Sequence, residues 1–179
     1  MLHCLSTCRF FSRFGLLLCL AQCKKKDPTP QLPPETMTGA MTFGCQIDGR
    51  VFVPRTAYPN PGLDVRYDYL GSGKGGGFFL SIPATDWAAT PIEAVRITTD
   101  SLLVQEGHTY PFRTSNGSAH AEYQLTVDYK KLDQNEGELT ITHFDPNRGI
   151  ISGRFHFVGT NKATGRQVHV TDGRFDVRF

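Results

Sequence analysis

The sequence predicts an all-β fold, an antiparallel meander of about ten strands closing into a sandwich or a partly closed barrel. Three observations carry this. Apolar and polar residues alternate at period two over most of the region after residue 39, the spacing that puts one side of a strand in a core and the other in water. Turn-forming residues punctuate the alternation every eight to twelve positions or so, a rhythm of short hairpin-linked strands. Helical periodicity is almost absent. Only Trp87-Ala88-Ala89, with Asp86 placed to cap it, hints at a helix, and Pro91 limits it to little more than a turn.

The elements follow in order. Phe43-Gly44-Cys45-Gln46-Ile47 and the residues after Asp48-Gly49 read as a first hairpin, because that dipeptide accepts positive φ. Phe78-Phe79-Leu80-Ser81-Ile82 reads as a strand. Val95 and Ile97 alternate with Arg96 and Thr98, and Tyr123, Leu125, Val127 and Tyr129 with Gln124, Thr126 and Asp128. Three further turns are expected at 145–149, 161–165 and Asp172-Gly173. They put the strand from Ile150 to Val158 between those of Leu139–Phe144 and Gln167–Thr171. In the last strand Phe175, Val177 and Phe179 oppose Arg174, Asp176 and Arg178, which predicts an edge or near-edge strand with a solvated side.

The chain ahead of this domain has a different character. Arg9 and Arg13 form a basic start, Phe14 to Ala21 an apolar stretch, and Leu20-Ala21-Gln22-Cys23 ends it before Lys24-Lys25-Lys26. Eight apolar-leaning residues are too few to span a bilayer, which takes about 20. The segment therefore reads as a cleaved signal, residues 1–22. Leu20, Ala21 and Cys23 resemble a bacterial lipobox, which implies that Cys23 becomes an acylated first residue; Gln22 departs from the pattern. Acyl chains, palmitate among them, anchor through buried methylenes, and two or more chains are needed for stable binding. Residues 23–38 carry Pro28, Pro30, Pro33 and Pro34 and read as an extended tether. Residues 39–179 then form one β-domain, long enough to bury a core of its own.

Removing residues 1–22 leaves 17 basic and 17 acidic residues, a neutral chain without the basic stripe that phosphate backbones require. Nucleic acid is not an expected partner. Cys4, Cys8 and Cys19 leave with the signal and Cys23 takes lipid, so Cys45 stands alone in the domain. No internal disulfide can form there, and Cys45 is expected to be a small buried apolar residue.

No catalytic residue and no cofactor is expected. Gly71-Ser72-Gly73-Lys74-Gly75-Gly76-Gly77 holds a G-x-G-x-x-G, but a phosphate cradle must open a helix, and this run leads into a strand. His143 and Asp145, with His156 and His169, could approach one another on a sheet face, yet nothing fixes their register, and no metal site is assigned. Tyr58, Tyr67, Tyr69, Trp87 and Tyr110 either cap the ends of the core or stack on a ligand. Trp87, Tyr67 and Tyr69 are the binding candidates. Asn116-Gly117-Ser118 is a glycosylation sequon of little meaning in a bacterium, and Asp100-Ser101-Leu102 resembles a short O-glycosylation motif of exported proteins.

The phrases Ile141-Thr142-His143-Phe144-Asp145, Asn147-Arg148-Gly149-Ile150-Ile151-Ser152-Gly153-Arg154-Phe155 and Val170-Thr171-Asp172-Gly173-Arg174-Phe175-Asp176-Val177, with Thr42-Phe43-Gly44-Cys45 and Gly49-Arg50-Val51-Phe52-Val53-Pro54, resemble a family of uncharacterised Bacteroidota lipoproteins, a domain of unknown function. The resemblance implies an all-β envelope lipoprotein and brings no active-site residue with it. The expectation is a non-catalytic interaction or structural module, lipid-anchored to the outer membrane, with an envelope protein or glycan as partner. A β-barrel or sandwich that binds lipid, glycan or peptide is the alternative.

Overall fold

A computed structural model describes residues 30–73, 75–113, 115, 117–125, 130–161 and 164–179, with the backbone alone for 130–135. The signal segment, Cys23, Lys24 to Lys26, Lys74, Asn116, Val127 and Tyr129 lie outside the described residues. Among the described residues there are ten strands and no helix. In chain order they are β1 (Thr42–Ile47), β2 (Arg50–Phe52), β3 (Arg66–Tyr69), β4 (Phe78–Asp86), β5 (Glu93–Asp100), β6 (Thr109–Pro111), β7 (Ser118–Leu125), β8 (Lys130–Asp145), β9 (Ile150–Thr160) and β10 (Gln167–Arg178).

Every strand pair is antiparallel. The hydrogen-bonded order is β2-β1-β10-β9-β8-β7-β5-β4-β3, and β6 joins β8 from the side. The two flanks of this path face each other as the layers of a sandwich, with one core between them. At one end the segment leaving β2 bonds to β4: Arg55 N donates to the Thr85 carbonyl at 3.2 Å and Trp87 N to the Arg55 carbonyl at 3.1 Å. These bonds tie the two layers of the sandwich together at that end.

Local chemistry accounts for the joints. Asp48 and Gly49 both take positive φ, 49° and 80°, as a tight β1–β2 hairpin requires. The β8–β9 and β9–β10 connections fall at 146–149 and 161–166, and β9 lies between β8 and β10. β8 is long enough to serve both layers: its start pairs with β7 and its remainder with β9 and β6. Its pairing with β9 shifts register between residues 134 and 136 and again between Ile141 and His143, and between these shifts Gly137 takes φ 139°, where a Cβ would lie 2.2 Å from the His156 carbonyl oxygen. Trp87-Ala88-Ala89 forms a turn. The Asp86 carboxylate caps it, accepting from Ala88 N and Ala89 N, both at 3.1 Å.

Two expectations need correction. Asp172-Gly173 is not a hairpin turn but a bulge inside β10, where the pairing with β9 shifts between Val170 and Gly173 and Asp172 takes φ 50°. A bulge and a turn draw on the same positive-φ chemistry, so composition alone does not separate them. The last strand is near the edge, but its polar side is not the solvated one expected. β10 is flanked by β1 and β9, and the free edges belong to β2 and β3. Its polar face is partly covered, because residues 32–40 cross it as a strap.

Aromatic and branched side chains fill the interior. Phe43, Phe52, Phe155, Phe157 and Phe175 are all buried, with Phe43 and Phe155 ring centres 5.2 Å apart and Phe112 edge-on to Phe157 at 6.0 Å, a favoured aromatic geometry. Cys45 is wholly buried in this cluster.

Candidate functional site

The three aromatic candidates are not brought together. Tyr67 and Tyr69 stand on β3 near one end of the sandwich, and Trp87 is on the β4–β5 turn at the other. Tyr67 caps the core, packed on Phe78, Phe144 and Phe179 at centroid distances of 5.3, 5.5 and 5.1 Å. Tyr69 lies over Phe78 at 4.9 Å and is largely exposed. Tyr110 is held locally, its hydroxyl accepting from Gln105 N at 2.9 Å. Tyr58 is 99% exposed.

Trp87 borders a groove of about 340 Å3 on the outer face of β4 and β5. Its Nε1 donates to the Pro61 carbonyl at 2.8 Å, which fixes the indole. Asn60, Asp64, Arg96 and Gln124 supply polar groups around the same groove. A fixed aromatic face beside planar polar side chains can stack on a ring and bond its hydroxyls.

The histidines disperse. His143 Nδ1 lies 2.9 Å from Glu106 Oε2, and Phe144 N donates to the same oxygen at 2.9 Å. The Phe144 amide, with the His143 contact, holds the Glu106 carboxyl below the usual range. His156 opposes Glu138 and His169 opposes Val158. Among the described residues no three metal-ligating side chains converge. The described glycines of the glycine-rich run join β3 to β4, strand to strand, which is not the setting of a phosphate cradle. The Ser101 hydroxyl donates to the Gly76 carbonyl.

Sequence reasoning missed the buried carboxylates. Asp176 is 1% exposed and accepts six hydrogen bonds. Oδ2 takes Thr36 Oγ1 at 2.6 Å, Thr38 N at 3.0 Å, Thr38 Oγ1 at 3.3 Å and Ala40 N at 3.1 Å. Oδ1 takes Gly39 N and Ser152 Oγ, both at 2.8 Å. Burial alone would raise the carboxyl; donors from Thr36, Thr38, Ser152 and Ala40 outweigh it and hold the group well below the usual carboxylate range. Glu35 adds an ion pair to Arg154, with Nε 2.8 Å from Oε2. Pro33 and Leu32 pack over Gly44. The stretch expected to be tether is therefore fastened to the domain from Leu32 onward.

Two more carboxylates tie the layers together. Glu93 accepts from Arg50 and from the Tyr123 hydroxyl, each at 2.5 Å. Burial, then the hydrogen bond to Glu93 and after it the Glu93 charge, push the Tyr123 phenol up. Asp86 pairs with Arg55 through two bonds of 2.8 and 2.7 Å, the paired geometry arginine makes with carboxylates. No local pattern marks Asp176, since all its donors but Ser152 lie 136 to 140 residues upstream. A Thr-x-Thr-Gly run after a proline-rich segment is the only hint. The Cys45 thiol is pushed up mainly by burial and then by Glu93, which suits a packing role and not a nucleophile.

No curated protein and no solved structure matches the chain. A family model described as domain of unknown function DUF6252 matches residues 80–177, from β4 to the end of β10 and so most of the sandwich. That match covers more than half of the chain, and the chain belongs to the DUF6252 family.

Proposed function

We propose that this chain is a lipoprotein of the cell envelope, of the kind exported by Bacteroidota, acylated at Cys23 and anchored to the outer membrane. Its β-domain serves there as a non-catalytic interaction or structural module. The observation that carries the reading is the Asp176 latch. Five bonds to one carboxylate fasten the segment that leads back to Cys23, so an anchor at Cys23 would hold the whole sandwich and not a loosely trailing domain. The basic start, the apolar stretch and the Leu20-Ala21-Gln22-Cys23 run support the anchor itself. Engagement of Asp176, Glu93 and Asp86 by structural donors supports a domain built for rigidity.

Fractionation of cells carrying wild type and Cys23→Ala tests the reading. Wild type is expected in the membrane fraction and the variant in the soluble fraction. Identical fractionation refutes the anchor. The groove beside Trp87 favours a second reading, capture of a glycan or peptide. Trp87→Ala would then abolish retention on a glycan or peptide array with little change in melting temperature. A large fall in melting temperature would return Trp87 to a packing role.

A further inference from the structure

The strap has a direction, and the direction orients the domain. Pro30 lies in a depression with Arg50, Val51 and Arg55, at the end of the sandwich that carries the β1–β2 and β4–β5 turns. From there the strap crosses Gly44 and reaches Asp176 and Gly39, beside Ile150 and Arg178 near the far end. Chain from Pro30 back to Cys23 is seven residues, which span no more than about 25 Å even when fully extended. With the rest of the strap fastened, the Arg50 end is the one that an anchor at Cys23 holds near a bilayer.

Independent features of that end suit lipid headgroups. Tyr58, on the loop between Arg55 and the Leu63 bridge to β4, is 99% exposed, and Trp87 stands on the neighbouring turn. Tyrosine and tryptophan favour the interface between membrane and water, where an apolar ring and a polar tip are both satisfied. Arg50 and Arg55 flank them with side chains 59% and 57% exposed, although each also bonds a buried acid. A guanidinium can bond carboxylate and phosphate oxygens together, since it carries five donors.

We propose that the end bearing Arg50, Arg55, Tyr58 and Trp87 lies on the headgroup layer of the membrane, with the β8–β9 turn pointing away from it. This rests on the lipoprotein reading above. Trp87 is the sole tryptophan, so the full-length protein purified from membranes carries its own reporter. It is reconstituted into vesicles of phosphatidylethanolamine and phosphatidylglycerol doped with a dansyl-headgroup lipid, and energy transfer from tryptophan is measured. A Trp87→Phe, Leu103→Trp variant moves the donor to the opposite end, where Leu103 is 52% exposed. Transfer several-fold stronger from Trp87 than from position 103 is the expected result. Floating vesicles with equal transfer, or with stronger transfer from position 103 beside exposed Tyr69 and Leu70, overturn the orientation and leave the anchor standing. Protein that does not float with the vesicles removes the anchor, and the orientation with it.

Discussion

Asp176→Asn is the substitution that reaches furthest into this molecule. It keeps the shape of the side chain but removes the charge and turns one acceptor into a donor. The amide places its carbonyl best where Oδ2 stood, keeping the bonds from Thr36, Thr38 and Ala40. Its NH2 then meets Gly39 N, a buried donor left without an acceptor, while the Ser152 hydroxyl can turn to accept. An unsatisfied buried donor costs about 1–3 kcal/mol, and a bond to a neutral acceptor is worth about 1 kcal/mol less than one to a charged acceptor. Allowing for water at the partly exposed threonines, the loss is about 3–5 kcal/mol at neutral pH. Against a total of about 5–15 kcal/mol for a typical domain, chemical denaturation resolves it easily.

Hydrogen exchange supplies the local reading. The amides of Thr38, Gly39 and Ala40 are expected to lose protection in the variant while the β9 amides keep theirs relative to the global stability. The pH dependence has a definite sign. The folded-state carboxyl titrates below its unfolded value of about 3.9, so the latch contributes fully above about pH 4–5 and fades as pH falls through the lower folded-state value. Wild type and variant should therefore converge only in strong acid. A loss under about 1 kcal/mol at pH 7, with the strap amides still protected, refutes the latch.

Other substitutions probe the remaining contacts. Tyr123→Phe removes one donor from Glu93 and leaves Arg50 as its remaining partner here; a loss of about 1–3 kcal/mol by denaturation is expected. Gly137→Ala sets a Cβ against the His156 carbonyl at φ 139°, and about 1–3 kcal/mol of backbone strain should appear as a lower melting temperature. Phe157→Ala empties a site at the middle of the core and should cost about 3–5 kcal/mol. Cys45, buried with its thiol pushed up, should resist alkylation at pH 8 in the native protein and react once denatured, as read from the mass of its peptide.

Period-two patterning made the strands legible, and Asp48-Gly49 and the 145–149 turn made two hairpins legible, because each depends only on neighbours in the chain. Val95 and Ile97 are buried while Arg96 is exposed, as their alternation requires. The pairing of β10 with β1 was not legible, for β1 comes from more than 120 residues earlier. Arg174-Asp176-Arg178 reads as a solvated face only because the strap over it is far away in sequence. The same distance hid Asp176 itself: a buried carboxylate and an exposed one look alike until their donors are known. Trp87 and Tyr67 were recognisable as unusual aromatics, but their separation to opposite ends follows from register, which local sequence does not encode.

The central claim is that the latched strap leads to a lipid at Cys23, and the intact mass of the N-terminal peptide from native membrane fractions tests it most directly. The account predicts a peptide beginning at Cys23 and carrying acyl chains. An unmodified peptide beginning at Met1, with Cys4, Cys8 and Cys19 still present, would contradict it.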